Sequence, residues 1–456
     1  MNVIVIVCDS LRTDHVGCYG SKVKTPNIDA FAQDSAQFTQ SYSENLPTLP
    51  CRTAWWTGQY LFPQRGWQPF AEKDLLLAEV LWEHDVVSAL VTDTYHMHKP
   101  VYNCGRGFDT TVFVRGQEYD PWVTDESIRM DLDEYWRLRG DDEDGIWRDH
   151  FAQYFRNRSR YVREEDFPAP RVVKEAIRWL EYKTKTQKED LFLWLDMFDP
   201  HEPWDPPEPY RSMYDPDYKG QEIIDPVPGM VEGYMTPREV EHTKALYAGE
   251  ITFVDKWVGI LLDRIRDLGL YDNSLIIFTS DHGEPFGEHG FIRKAYPRGY
   301  EELASTPLLI RHPEGYSKGK KIDAFIQPPD FFPTILECMN VSTELTLQYT
   351  APVDLTFPQD IVISNTPVQI LGKSLVPLLK GETKSHRDFA ITAHHTHQWV
   401  IRTEDYAFHY HPKEDRPNEL YDRRNDRVEK NNIMERESES AGMLESKLKE
   451  FVRTIT

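Results

Sequence analysis

Val3-Ile4-Val5-Ile6-Val7-Cys8-Asp9-Ser10 decides the fold. Five successive β-branched apolar residues show no polar alternation. Such a strand has both faces covered, as in a parallel sheet. It then ends on an acid. Leu191-Phe192-Leu193-Trp194-Leu195-Asp196 and Ser274-Leu275-Ile276-Ile277-Phe278-Thr279-Ser280-Asp281 follow the same pattern. Val86 to Thr92 and Pro307 to Arg311 read as further strands. Helical spacing lies between them, at Thr25 to Ala32, Leu75 to His84, Val172 to Tyr182 and about Glu239 to Leu268. Ile326 to Cys338 reads as a loop and then a helix, and Lys373 to Leu379 as a short helix. Strands alternating with helices predict an α/β fold with a mostly parallel central sheet flanked by helices. Ligands bind such sheets at the carboxyl ends of the strands. Asp9, the segment Asp196 to His201, and Asp281-His282 all fall there. One strand-end Asp is usually a cap; several of them with histidines point to a metal site.

A second stretch supplies a nucleophile. In Pro47-Thr48-Leu49-Pro50-Cys51-Arg52 a hydroxyl stands four residues before a fixed cation, and Thr53-Ala54-Trp55-Trp56-Thr57-Gly58 continues as a helix. A helix N-terminus offers unpaired N–H groups and a favourable dipole to anions. On its own the segment also reads as a proline-punctuated turn with Thr48 as a cap.

The chain has 456 residues, enough for a large and a small domain. The catalytic domain is expected over 1–380, with a charged, aromatic-rich insertion at about 115–170 read as a helical cap. A small α+β subdomain is expected over 381–456, built from an antiparallel sheet and a closing helix at about Glu439 to Val452. Inside the insertion, the acidic run between Gly140 and Gly145 reads as a solvated loop without the calcium-loop ligand pattern. Asp205 to Thr236 reads as a long ordered loop near the site mouth. The net charge of −23 argues against a nucleic-acid-binding surface. A small anionic ester remains compatible, because a local cation can reverse the field. No run reaches the ~18 apolar residues of a membrane helix, and the first strand begins at once, without a leader-like segment. Five scattered cysteines without a C-x-x-C pair read as reduced thiols of a cytoplasmic protein.

In order along the chain, Cys8-Asp9-Ser10-Leu11-Arg12, Gly17-Cys18-Tyr19-Gly20 with Thr25-Pro26-Asn27-Ile28-Asp29, Thr48-x-Pro50-x-Arg52, Pro200-His201-x-Pro203, Thr279 to Glu284, Gly287 to Gly290, Lys294, Gly372 to Leu375 and Glu419 to Asp422 resemble the sulfatase-type members of the alkaline phosphatase superfamily. The resemblance implies an alkaline-phosphatase-like sandwich and a metal-dependent hydrolase. It implies one divalent ion held by Asp9, Thr48, Asp281 and His282, with Ser10 a further candidate. It gives catalytic roles to Thr48, Arg52, His201 and Lys294: Arg52 stabilises the alkoxide, and His201 and Lys294 neutralise the transferred anion or protonate the leaving oxygen. His289 is a ligand, a supporting group or simply a loop histidine, and is left out of the direct ligand set. Tyr95 or His96 faces the substrate or is structural. Arg115-Gly116-Gln117-Glu118 has no assigned role. Homo-oligomers are common in the family.

The departures shift the expected chemistry. Sulfatases carry Cys or Ser at the nucleophile position and oxidise it to formylglycine. Thr48 cannot form that aldehyde, and Cys51 lacks Pro and Arg at the required offsets. Ser10 and His282 replace residues of an all-oxygen calcium site, favouring Mn²⁺, with Zn²⁺ or Ca²⁺ as alternatives. The expected activity is therefore hydrolysis of phosphate diesters or phosphonate monoesters through Thr48. The alternative is a sulfatase acting on sulfate esters such as sulfated sugars. A phospho-group transferase and a non-catalytic binding module come after these.

Overall fold

The first strand, Asn2–Cys8, lies between two parallel neighbours, Leu191–Met197 and Ser274–Thr279. Val3 stands opposite Phe192 on one side and Leu275 on the other. Parallel register sends all three strands the same way, so Asp9, Asp196 and Asp281 emerge at one edge. The computed structural model describes residues 1–128, 130–140, 145–186, 190–294, 298–348, 365–367, 369–413 and 416–456. The acidic run 141–144 lies outside these.

Among the described residues, eight strands form the main sheet. Their order is Lys321–Ile326, Ala36–Ser41, Leu308–Arg311, Ser274–Thr279, Asn2–Cys8, Leu191–Met197, Val87–Thr92 and Thr110–Phe113. All pairings are parallel except the two made by Leu308–Arg311. The expected α/β architecture is therefore present. Alternate residues of the central strands feed opposite faces, as the period of two demands. Ile4, Ile6, Leu193, Leu195, Ile276 and Phe278 join a core with the helices Pro26–Gln33, Pro168–Thr186 and Pro237–Asp267. Val3, Val5, Phe192, Trp194, Leu275 and Ile277 join a second core with the helices Thr48–Thr57 and Phe331–Cys338.

The segment expected as a cap over the core is part of the core. Trp136, Phe151, Tyr154, Phe155 and Tyr161 are buried in the first core cluster. Their aromatic spacing, on and beside the helix Ile146–Arg158, is what lets a polar-looking segment reach inward. The strands Ala36–Ser41 and Thr110–Phe113 escaped the reading because they are short and rich in Gln, Ser and Thr.

The C-terminal antiparallel strands Ala390–His394, Gln398–Arg402, Tyr406–Tyr410 and Glu419–Asp422 are covered by the helix Ser438–Ile455. A fifth strand comes from far away: Asn45–Leu46 pairs in parallel with Ala393 and His394. The segment just before Thr48 is thus hydrogen-bonded into the C-terminal sheet. Among the described residues no helix is long and apolar enough to cross a membrane, and the five cysteines are free.

Candidate active site

Thr48 opens a wholly buried helix, Thr48–Thr57, and is itself 2% exposed. Pro50 fits because it lies in the first turn, where its missing N–H has no helical partner to lose. Trp55 anchors the helix against Trp194 and Phe331. Gly58 ends it at φ 65°, a left-handed conformation that suits glycine.

Arg52 occupies the centre. Its guanidinium donates to Asp196 Oδ1 at 2.6 Å and Oδ2 at 3.1 Å, to Asp9 Oδ2 at 3.1 Å, and to Asp281. It also donates to the Thr48 carbonyl at 3.1 Å. All four side chains are fully buried. Arg52 thus binds Thr48 through the main chain, and its charge is engaged by carboxylates. The strand-end acids carry full charge and take up most of its donors.

Asp9, Asp281 and His282 form a compact buried donor set. His282 Nδ1 donates to the Gly283 carbonyl at 2.8 Å. Since a carbonyl only accepts, Nε2 keeps its lone pair. That nitrogen is buried without a hydrogen-bond partner among the described residues, 3.8 Å from Asp9 Oδ1 and 3.5 Å from Asp281 Oδ2. Burial lowers the imidazole to about 4, so it is neutral. Burial and repulsion from Asp281 raise Asp9 well above the usual carboxylate range. Asp281 is buried too, but the Arg52 cation holds it low. An orphaned imidazole nitrogen facing two crowded carboxylates fits a divalent cation. The mixed nitrogen and oxygen donors suit Mn²⁺ or Zn²⁺ at least as well as Ca²⁺.

Ser10 links Asp9 and Asp281 to Lys294. It sits at φ 60°, held there by four contacts. Its N–H donates to Asp281 at 3.1 Å, its hydroxyl donates to Asp9 at 3.0 Å, and Tyr247 donates to its carbonyl at 2.7 Å. Lys294 Nζ approaches its hydroxyl at 3.4 Å. Tyr247 comes from the long helix Pro237–Asp267, whose start is fixed by reciprocal Thr236–Glu239 capping. Nothing in the local sequence pointed to Tyr247.

Lys294 also donates to Glu202 at 2.8 Å and Glu284 at 2.7 Å. Neither carboxylate was given a role from the sequence, although each lies within a recognised motif. Arg293 pairs with Glu202 and Asp225. Burial raises Glu284 to about 8, and its Oε1 has no partner among the described residues. His201 Nδ1 lies 2.8 Å from the Glu202 carbonyl and so carries the proton. Burial lowers this ring to about 3, leaving a neutral imidazole with an accepting Nε2. Through Arg52, Ser10 and Glu202, one polar network joins Thr48, Asp9, Asp281, His282, Lys294 and His201.

Other candidates lie outside this network. His289 donates or accepts at Glu302 (2.7 Å) and donates to the Glu429 carbonyl (2.8 Å), while stacked on Tyr300. It links the site loop to the C-terminal region and is not part of the Asp9–Asp281–His282 group. His96 pairs with Glu118 at 3.2 Å, and Tyr95 packs on Tyr119. The unassigned run 115–118 is a latch: Arg115 holds Asp120, and Gln117 donates to the buried acids Asp93 and Asp199. Cys51 is fully buried in the second core.

An α/β sheet whose strand ends gather two carboxylates and an imidazole, beside the start of the helix that Thr48 opens, is a scaffold that can hold a divalent metal. Residues 1–341 match the Sulfatase family model, and the chain belongs to the sulfatase family. An arylsulfatase of Clostridium perfringens is 26% identical over 376 residues, covering 75% of each chain. The phosphonate monoester hydrolase of Agrobacterium radiobacter superposes with a TM-score of 0.73 at 21% identity, covering 99% of this chain and 95% of the other. A structure solved with its substrate D-glucosamine-2-N,6-O-disulfate gives 0.71 at 20%, covering 99% and 97%.

Proposed function

We propose that this chain hydrolyses sulfate esters of aryl or sugar alcohols, using Thr48 as nucleophile and a divalent ion held by Asp9, Asp281 and His282, with the Thr48 oxygen as a further ligand. The observation that carries the reading is the sulfatase match over residues 1–341 around a site that retains the buried donor set. Sulfate-ester relatives add support.

When bound, the ion supplies positive charge to the ester oxygens and lowers the pKa of a nearby hydroxyl. Thr48 Oγ1 bonds to sulfur while the bond from sulfur to the alcohol oxygen breaks. The threonine proton passes to neutral His201, and Lys294 returns one to the departing oxygen. Water then attacks sulfur as the bond from sulfur to Thr48 Oγ1 breaks; His201 returns its proton to Thr48 Oγ1, the water gives one to Lys294, and hydrogen sulfate leaves. Arg52 and Ser10 hold the donors in place throughout.

Thr48 itself favours a second reading, hydrolysis of phosphate diesters or phosphonate monoesters. A threonine ester of phosphorus is released by water attack at phosphorus, whereas a threonine ester of sulfate lacks the aldehyde-hydrate route by which formylglycine expels sulfate. The same residues serve both chemistries.

Turnover of p-nitrophenyl sulfate, phosphate diester, phosphonate monoester and phosphate monoester, each with Mn²⁺, Zn²⁺ or Ca²⁺, decides between them. Sulfate release above the phosphorus esters is the expected outcome, and the reverse preference replaces the first reading with the second. Thr48→Ala should cut the preferred activity by at least about 10³-fold with an unchanged circular dichroism spectrum. Retained activity in that variant removes threonine from both mechanisms.

A further inference from the structure

The helix that Thr48 opens is held at both ends by the C-terminal part of the chain. In front of it, residues 44–46 run along the C-terminal sheet. The Ala393 N–H donates to the Glu44 carbonyl at 2.8 Å, and Asn45 and Leu46 pair with the strand Ala390–His394. Behind it, the chain turns at Gly58, whose carbonyl accepts from Leu371 and Gly372 at 2.9 and 3.0 Å. Tyr60 and Phe62 then enter the C-terminal core, meeting Phe451 edge-on at 5.1 Å and Trp399 at 5.5 Å.

One side chain joins the two ends. Glu44 is fully buried, and its Oε1 accepts from the N–H groups of Leu61 at 3.2 Å and Phe62 at 3.4 Å. The next residue repeats the connection: Asn45 Nδ2 donates to the Arg65 carbonyl at 3.2 Å. Among the described residues Glu44 Oε2 has no hydrogen-bond partner. Burial pushes the carboxyl up to about 8, so it is mostly protonated at neutral pH. Burying an acid with no cation beside it costs free energy. What the acid supplies is one oxygen with two lone pairs, able to accept two consecutive N–H groups.

We infer that Glu44 is a positioning residue for Thr48: its carboxyl closes the chain around the nucleophile helix, so that the C-terminal sheet sets where the hydroxyl stands. This rests on the reading of Thr48 as the nucleophile of an ester hydrolase. Only Pro47 separates the paired strand Asn45–Leu46 from Thr48. Its ring fixes φ, so a shift of the strand is passed on to the hydroxyl. Displacing a reacting group by about 1 Å costs about 10²-fold in rate. Ester binding draws on other residues, so the loss falls on kcat and spares KM.

The test uses the full chain loaded with Mn²⁺ and the p-nitrophenyl ester it turns over fastest, with kcat scaled to the folded fraction from circular dichroism. Glu44→Leu should lower kcat at least about tenfold and leave KM within about twofold. Glu44→Gln keeps the accepting oxygen and should restore kcat to within about threefold of the parent. Parental kcat in Glu44→Leu, a rise in KM alone, or a glutamine variant as slow as the leucine variant overturns the assignment. Where Glu44→Leu fails to fold, Asn45→Ala decides, since it removes the side-chain bond to Arg65 and leaves Glu44 in place. It should lower kcat at least about threefold at constant KM, and parental kcat overturns the assignment. Failure of the hydrolase reading shows separately, as inactivity of the parent across the p-nitrophenyl panel. Hydrogen exchange then reads the tie without turnover: amides of residues 48–57 should exchange at least about tenfold faster in Glu44→Leu or Asn45→Ala. Unchanged protection in both overturns it.

Discussion

Arg52 brings one fixed positive charge to Asp9, Asp196 and Asp281, all buried. Asp196 also accepts from Thr94 and the Trp194 indole. Buried charges of this kind contribute little net stability when paired, but removing one partner is costly. Arg52→Met should therefore destabilise the metal-free protein by about 3–5 kcal/mol in urea unfolding. Added Mn²⁺ should restore part of the loss, since an ion can neutralise Asp9 and Asp281 but leaves Asp196 unpaired. Arg52→Lys should rescue poorly, because an ammonium lacks the planar fork that reaches three acids. An unchanged urea midpoint in Arg52→Met would show that the cluster tolerates its own repulsion.

At the scale of elements, the loop Asp281 to Gly283 is set by how closely it lies on the short helix Glu301–Ala304. The Gly283 N–H donates to the Leu303 carbonyl at 2.9 Å, and a Cβ on Gly283 would stand 2.1 Å from the Glu302 carbonyl oxygen. No other residue fits without moving one backbone away from the other. Gly283→Ala should cost about 1–3 kcal/mol through this overlap. The same carbonyl that orients His282 belongs to Gly283, so the displacement also re-aims the imidazole. Affinity for the divalent ion should fall roughly 10-fold or more, as when an outer partner of a metal-binding histidine is lost. A melting curve and a metal titration check both effects, and a variant matching the parent in both would discount the close approach.

Across the whole molecule, His289 joins the site loop to the C-terminal region. Its imidazole is held between Glu302 and the Glu429 carbonyl, and Glu429 is itself bound by Arg402 and His409. Burial opposes the charged ring, but Glu302 outweighs it and raises the histidine above its ordinary value of 6.5. A raised folded-state value means the protonated ring adds stability. That contribution is complete below about pH 6.5, the unfolded value, and disappears as pH rises through the folded value. Unfolding of the parent and of His289→Gln, followed from pH 5 to 9, should differ most at the acid end and converge at the alkaline end. A constant difference across the range would remove the proton from this contact.

The sequence by itself determined the α/β class and the acids at the ends of the central strands, among which the resemblance named Asp9, Asp281 and His282 as candidate metal ligands. These are written in local patterns: unbroken apolar runs, acids at their ends, and Thr-x-Pro-x-Arg before a helix. It also carried the C-terminal sheet, through alternation in Ala390 to Tyr410. What depends on partners distant along the chain was decided only by tertiary structure. Arg52 faces Asp196 and Asp281 because parallel register brings three strand ends together. Glu202 and Glu284 meet at Lys294 from separate loops. Phe151 and Tyr154 enter the main core from a segment whose charge suggested a surface. The strand Asn45–Leu46 is too short to show a period, yet it fastens the C-terminal sheet to the segment just before Thr48. Hydrogen bonding and burial act between neighbours in space, and a local pattern records only the neighbours that are also close in sequence.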